Sequence, residues 1–259
     1  MSEFDSWESY FYPETIDWTG NGTLRNNFGL RDADRLSDIE YAITARAARE
    51  WATTPHQDLG WGEARAKAIH KHLFHRIYEW AGEYRTVPIG KGQSRFAHPD
   101  EIPAVLQAVE GFVRSREWSE LGREEFARDV AVTFAWVNAT HAFREGNGRT
   151  TKLFLDDVAR QSPWELHFDE VTPDWWNEIS ERTTLREDRH QPDPAPMVPV
   201  LAAITHPRST AQPAGSSSGL SAAVRASYPL APGSSVPESP SSSPRQQGGY
   251  RNDERGRGR

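Results

Sequence analysis

The sequence predicts an all-α helical bundle with one small β-hairpin and a disordered C-terminal tail. Three observations lead there. Apolar residues recur every three or four positions through most of residues 32–183, extended-chain patterning is confined to one stretch around Pro88, and no Phe or Trp occurs after Trp176. In residues 32–51, Leu36, Ile39, Ile43 and Ala47 share one helical face, and in residues 62–80 the same spacing joins Ile69, Leu73, Ile77 and Trp80. Ile102, Leu106, Val109 and Val113 mark a third helix after His98-Pro99-Asp100. Phe126, Val130, Phe134 and Val137 mark a fourth, long and largely apolar, that runs to about Thr140 and is placed at the centre. Two more helices are expected over residues 147–161 and 172–183, and a short one over 198–204. The β segment is 84–89, followed by Gly90-Lys91-Gly92 and then 94–97, which reads as a hairpin with a glycine turn.

Composition divides the chain. Its 259 residues carry a formal charge of −7, with 36% hydrophobic residues and ten Trp, enough for a sizeable core. A mean hydropathy of −0.74 is low for a uniformly packed chain. The discrepancy is assigned to residues 206–259, where 12 Ser, 7 Pro and 7 Gly leave too few large apolar groups to offset the entropy of ordering the backbone. Residues 1–205 are thus expected to form one helical domain, and 206–259 a tail with an Arg-rich end. Seven Arg against three acids give the tail +4, so residues 1–205 carry −11. Such an acidic body argues against direct nucleic-acid binding, which needs clustered Lys and Arg. No stretch approaches the roughly 18 apolar residues of a membrane helix, and the N-terminus lacks a basic start with an apolar run, so a soluble, cytoplasmic protein with no membrane partner is expected. The absence of Cys excludes disulfides, thiolate metal sites and a cysteine nucleophile.

The chemistry concentrates in residues 141–152, a polar loop between two apolar helices that opens the second of them. Gly146 and Gly148 leave the backbone bare where that helix begins, so successive N–H groups can face an anion with the positive end of the helix dipole behind them. Phosphate is the natural occupant, with Asn147 between the glycines. Arg149 and Lys152, three apart, share a helical face and are expected to reach the outer phosphates of a nucleotide. Glu145 supplies a hard oxygen ligand; one carboxylate plus substrate phosphates is the usual way Mg²⁺ is held. His141 stands at the loop entrance as a general base, since imidazole with a pKa near about 6.5 accepts a hydroxyl proton at neutral pH. Taken singly, each residue has an ordinary structural reading as a turn, a cap or a solvated face; no ordinary turn needs all of them together. Phe143 is assigned to the core, anchoring the loop.

His141-x-Phe143-x-Glu145-Gly146-Asn147-Gly148-Arg149-x-x-Lys152 resembles the signature of the Fic family, enzymes that transfer AMP from ATP to protein hydroxyls. Asn138, the hairpin with Lys91-Gly92 and Phe96-Ala97, and the N-terminal Tyr12-Pro13, Leu24-Arg25-Asn26 and Phe28-Gly29-Leu30 extend the resemblance to roughly residues 8–205. It implies that His141 deprotonates a Ser, Thr or Tyr hydroxyl of the target, which attacks the α-phosphate of ATP and expels pyrophosphate. Glu145 would hold Mg²⁺, while Gly146, Asn147, Gly148 and Arg149 would bind the phosphates. The hairpin would be a flap on which the target segment lies extended by strand addition, with Lys91, Arg95 and Phe96 as its docking side chains.

Two positions depart from the pattern. Ala142 replaces the usual Pro, and Lys152 replaces a second Arg that commonly contacts the γ-phosphate; Lys offers no bidentate fork, so retuned activity is expected. The inhibitory segment of regulated relatives, Ser or Thr, three residues, Glu, then Gly or Asn, has no good match; Thr183 with Glu187 continues into Asp188. The resemblance therefore points to the toxin of a bacterial pair, restrained by a small antitoxin protein that supplies the Glu. Related toxins modify the ATPase subunits of type II topoisomerases, which makes those the candidate target. Other readings are a Fic-fold phosphotransferase or other nucleotide-derived group transferase, and a catalytically idle nucleotide-binding module. Gly148 weighs against the first, because phosphorylating Doc relatives carry Lys there; intact His141 and Glu145 weigh against the second. His70, His72 and His75 invite a zinc assignment, but helical spacing separates His70 from the other two, and a polar edge of a packed helix explains them.

Overall fold

Phe126, Val130, Phe134 and Val137 are buried on one long helix, α4 (Arg123–Thr140), against which most of the other helices pack. The computed structural model describes residues 4–91, 94–186, 188–209 and 236–237. Six further α-helices lie among the described residues: α1 (Ala33–Thr53), α2 (Glu63–Phe74), α3 (Ile102–Arg114), α5 (Asn147–Ala159), α6 (Pro173–Thr183) and α7 (Val198–Ala203). Local chemistry sets their ends. Asp32 caps α1 by accepting from the N–H groups of Asp34 and Arg35, and Thr172 caps α6 ahead of Pro173 in its first turn. Helix α2 stops at Phe74, short of the expected residue 80, because the N-terminal segment takes the next carbonyls: Asn27 donates to Ile77 from its N–H at 2.8 Å and to His75 from Nδ2 at 3.3 Å. Ile77 and Trp80 remain buried beyond the helix end.

The fold is mostly helical, as expected, with small antiparallel pairings at its edge. The hairpin consists of β1 (Ile89–Lys91) and β2 (Ser94–Arg95), with Gly90 opposite Arg95 and Lys91 opposite Ser94. It lies further along the chain than the expected strand 84–89. Arg85 is drawn away from any strand partner because its own N–H donates to the Ala142 carbonyl at 3.0 Å. Gly90 and Lys91 are strand residues, and Gly92 and Gln93 lie outside the described residues.

A second sheet pairs β3 (Trp164–Leu166) with β4 (Thr205–Pro207). The compositional boundary at His206 thus falls inside a strand, and Arg208 donates to the carbonyls of Ala159 and Trp164, tying residues 206–208 to the body. Backbone pairing offsets the ordering entropy that composition alone made decisive. The remainder of the expected tail lies outside the described residues, except β5 (Val236–Pro237), which pairs antiparallel with β1 so that the sheet order is β2-β1-β5. No described helix is long and apolar enough to cross a membrane.

Candidate active site

Helix α4 ends at His141, which adopts φ 37° and ψ 54°, the left-handed region, and is the one non-glycine residue with positive φ among the described residues. A left-handed residue with a Cβ persists only where surrounding bonds over-determine it. Arg85 supplies them. Its buried guanidinium donates to the carbonyls of His141 (Nε, 2.8 Å), Thr140 (Nη2, 3.1 Å), Ala97 (Nη2, 2.5 Å) and Val87 (Nη1, 2.8 Å). One cation thereby satisfies the end of α4 and ties it to the hairpin. From the hairpin side, Phe96 stacks on the His141 imidazole with ring centroids 4.0 Å apart.

The loop beyond His141 is braced from both sides. The Asn147 side chain accepts from the Phe143 N–H at 2.8 Å and donates to the Phe143 carbonyl at 2.7 Å. Phe143 is buried and stacks on His70 of α2, with centroids 3.9 Å apart and planes 9° from parallel. His70 Nδ1 accepts from the Gly82 N–H at 2.8 Å, so its proton sits on Nε2, 3.0 Å from the Glu145 carbonyl. Burial pushes the His70 imidazole down to about 3, keeping it neutral. His70 is therefore a brace for the loop, buried rather than at the polar edge its sequence suggested. Gly146 is required twice: its φ is +79°, and an added Cβ would come within 2.2 Å of the Phe74 ring.

At the start of α5, the first intrahelical donor is the Thr150 N–H, to the Gly146 carbonyl, and the N–H groups of Asn147 and Gly148 have no acceptor among the described residues. They open on a cleft of about 920 Å³, counting space open to solvent. His141, Glu145, Gly146, Asn147, Gly148 and Phe96, all singled out from sequence, line it. Glu145 Oε1 accepts from the Gly146 N–H at 2.8 Å and from Arg149 at 3.3 Å, and no described residue bonds to Oε2.

Arg149 and Lys152 share a helical face, as their spacing requires, but that face points into the core, and neither lines the cleft. Arg149 lies over the Phe74 ring and bridges Glu145 to Glu40 of α1, 2.5 Å away; Tyr78 donates to the same Glu40. Burial raises the Glu40 carboxyl, and Arg149 opposes that rise. Lys152 Nζ lies 4.5 Å from the Trp176 ring centroid, and burial pushes its amine down to about 7. Of the flap residues, Lys91 ends β1 opposite Ser94, and Arg95 donates from its N–H to the Leu185 carbonyl at 3.0 Å. Arg95 is not among the residues that line the cleft.

Sequence reasoning missed three contributors. Arg144, only 4% exposed, lines the cleft and lies 3.6 Å from the Trp7 ring centroid, with Nε and Nη2 lacking any hydrogen-bond partner among the described residues. Burial lowers its guanidinium to about 10, so it stays charged at neutral pH. Thr151 occupies the cleft-facing side of α5 that Arg149 and Lys152 vacate. The opposite wall is α6, which presents Trp176, Asn177, Ser180 and Glu181. Asn138 fixes it by donating to the Ser180 carbonyl and to Thr183 Oγ1, and Thr184 donates to Ser94 Oγ of the flap. The signal was present in the polar residues at helical spacing beside the Trp176 and Ile179 stripe.

Fold and loop together define a helical protein with an anion-receptive helix N-terminus, rimmed by a histidine held at the end of the preceding helix. Residues 61–158 match the model of the Fic/DOC family. The probable protein adenylyltransferase y4lH of Sinorhizobium fredii is 34% identical over 167 residues, covering 62% of this chain and 82% of the relative. Protein adenylyltransferase VbhT of Bartonella schoenbuchensis is 34% identical over 168 residues, 63% of this chain but 33% of that longer protein. Among solved structures, BepC of Bartonella tribocorum with bound AMPPNP aligns with a TM-score of 0.68 at 22% identity, covering 78% of this chain and 98% of that one. The N-terminal Fic domain of a Bep effector from Bartonella quintana with bound ADP aligns at 0.67 and 24% identity, covering 76% and 97%. The chain belongs to the Fic/DOC family.

Proposed function

We propose that this chain is a protein adenylyltransferase that moves AMP from ATP to a Ser, Thr or Tyr hydroxyl of a target protein, with His141 as general base. The observation that carries the reading is the His141 imidazole, held beneath Phe96 at the rim of a cleft whose floor is the unpaired N-terminus of α5. In that pocket the amides of Asn147 and Gly148, with the Arg144 charge nearby, would receive the phosphates. The nucleoside would lie toward Asn177, Ser180 and Glu181 of α6. The target hydroxyl gives its proton to His141 as its oxygen bonds to the α-phosphorus, and the bond to the β-phosphate oxygen breaks, releasing pyrophosphate. Arg149 acts through Glu145, holding the carboxylate in place.

One carboxylate at the pocket edge, with an oxygen no described residue uses, fits a Mg²⁺ ion held mainly by substrate phosphates. Mg²⁺ would neutralise phosphate charge. The names of the relatives at 34% identity support AMP transfer over the phosphotransferase and idle-module readings. The flap would carry the target segment, and ATP consumption would place the protein in the cytoplasm. Restraint by a separate antitoxin is the finer part of the proposal. It is supported by the sequence: the two Glu-Gly pairs, at Glu110 and Glu145, follow Leu106 and His141 four positions earlier, not Ser or Thr. Type II topoisomerase ATPase subunits are the proposed targets on resemblance alone.

The test is incubation with α-labelled or γ-labelled ATP and bacterial lysate, followed by purified topoisomerase subunits. Protein-bound α-label that falls at least about a hundredfold with His141→Ala is expected. Label from the γ position, or undiminished α-labelling by the variant, overturns the reading.

A further inference from the structure

Away from the cleft lining, strand β4 brings a second group of reactive side chains together. His167 directly follows β3, its N–H donating to the Ile204 carbonyl at 2.8 Å. Glu170 ends the single 3₁₀ turn Phe168–Glu170, and His206 lies in β4 opposite Glu165. One ring nitrogen from each histidine and one Glu170 oxygen all lie within 4.8 Å of one another. His206 Nε2 is 2.8 Å from Glu170 Oε2, and His167 Nδ1 is 3.4 Å from Glu170 Oε1. The two imidazoles stack with centroids 4.3 Å apart. The far nitrogen of His167, Nε2, lies 2.9 Å from Glu165 Oε1.

We propose that His167, His206 and Glu170 form a binding site for a divalent transition-metal ion, best matched by Zn²⁺, with Glu165 orienting His167. Two imidazoles and one carboxylate are the donors of zinc and its neighbours in the first transition row, not of Mg²⁺ or Ca²⁺, which take oxygen. The tautomer fits. With an ion on Nδ1, the His167 proton sits on Nε2 and is donated to Glu165, the carboxylate–histidine–metal arrangement that fixes ring orientation and raises ligand basicity. Without an ion, a proton on each His167 nitrogen is needed to satisfy both carboxylates. Metal–ligand bonds of about 2.0–2.2 Å put tetrahedral donors roughly 3.3–3.6 Å apart, so small side-chain rotations suffice from the observed spacing. The side chains are 37–42% exposed, which leaves an entry path and room for water as fourth ligand. Such an ion would clip β4 to the turn after β3, anchoring the start of the C-terminal segment.

The experiment is calorimetric titration of the metal-free full chain with ZnCl₂, without ATP, at about pH 7.5, where unprotonated imidazole is available. One equivalent should bind, and His206→Gln and Glu170→Gln, which keep neutral polar groups at these exposed positions, should each weaken binding more than tenfold. His72→Gln, at a ring bonded to the Ala47 carbonyl, should leave it unchanged. Cobalt(II) should give the intense visible absorption of a low-coordinate site, lost in His206→Gln. Absence of stoichiometric binding, or equal affinity of wild type and His206→Gln, overturns the proposal, as does loss of binding on substituting His72.

Discussion

Arg85 Nε donates to the His141 carbonyl at 2.8 Å, so the proposed general base is held in its left-handed turn by a cation from another part of the chain. Arg85→Met leaves four buried carbonyls without this donor and is expected to cost about 3–5 kcal/mol of stability in urea unfolding. Arg85→Lys keeps the charge but not the fork. It should lower kcat for AMP transfer while changing the KM for ATP little, because the phosphate cradle at α5 does not touch Arg85. A KM effect as large as the kcat effect would mean that Arg85 shapes the whole cleft rather than His141.

Gly146→Ala tests the loop from its other end. The substitution pushes a methyl into the Phe74 ring and places an alanine at φ +79°. The left-handed backbone costs about 1–2 kcal/mol and the overpacking about 1–3 kcal/mol, so a combined loss of roughly 2–5 kcal/mol and severe loss of labelling are expected. Relieving the clash with Phe74→Leu should restore only part, since the backbone penalty remains. Full recovery in the double variant would show that crowding alone makes the glycine necessary.

Sequence alone located the loop and the two helices flanking it, because the chemistry there is contiguous and the apolar stripes of α4 and α5 are long. It did not say which way the loop's cations face. The spacing of Arg149 and Lys152 fixes that they share a side of α5, but the choice between core and cleft depends on Glu40, Phe74 and Trp176, brought in from α1, α2 and α6. Arg85 reads as an ordinary strand residue until the end of α4 supplies carbonyls for it. The β3 and β4 pairing joins segments far apart in the chain, and its second strand sits where Ser, Pro and Gly begin to dominate, so composition hides it.

Lys152 makes stability depend on pH. Its folded-state amine titrates near 7 because of burial, whereas an unfolded lysine titrates near about 10.4. Between those values the unfolded chain binds the extra proton, so this residue's contribution to stability rises with pH. From pH 7 to 9 wild type should gain about 2 kcal/mol relative to Lys152→Met, read by urea unfolding of both proteins at each pH. Parallel behaviour of the two proteins would show that the amine reaches a charge partner or solvent when protonated.

The flap has neighbours on both edges. Strand β5 pairs with β1, placing Pro237 opposite Ile89 and Val236 opposite Gly90, while the Arg95 N–H of β2 bonds to Leu185. A target that docks by strand addition must therefore displace one of them, and β5, held by two residue pairs at the end of a long connection, is the easier to remove. Ending the chain after Ser209 keeps β4 and Arg208 in place while removing β5. The shortened protein should label target protein severalfold faster at limiting target concentration, with an unchanged KM for ATP. A synthetic peptide spanning residues 230–243, added back, should slow it again. Equal rates for full-length and shortened chains would mean that the target does not use the β1 edge, and would move the docking surface to the β2 side, where Leu185 stands.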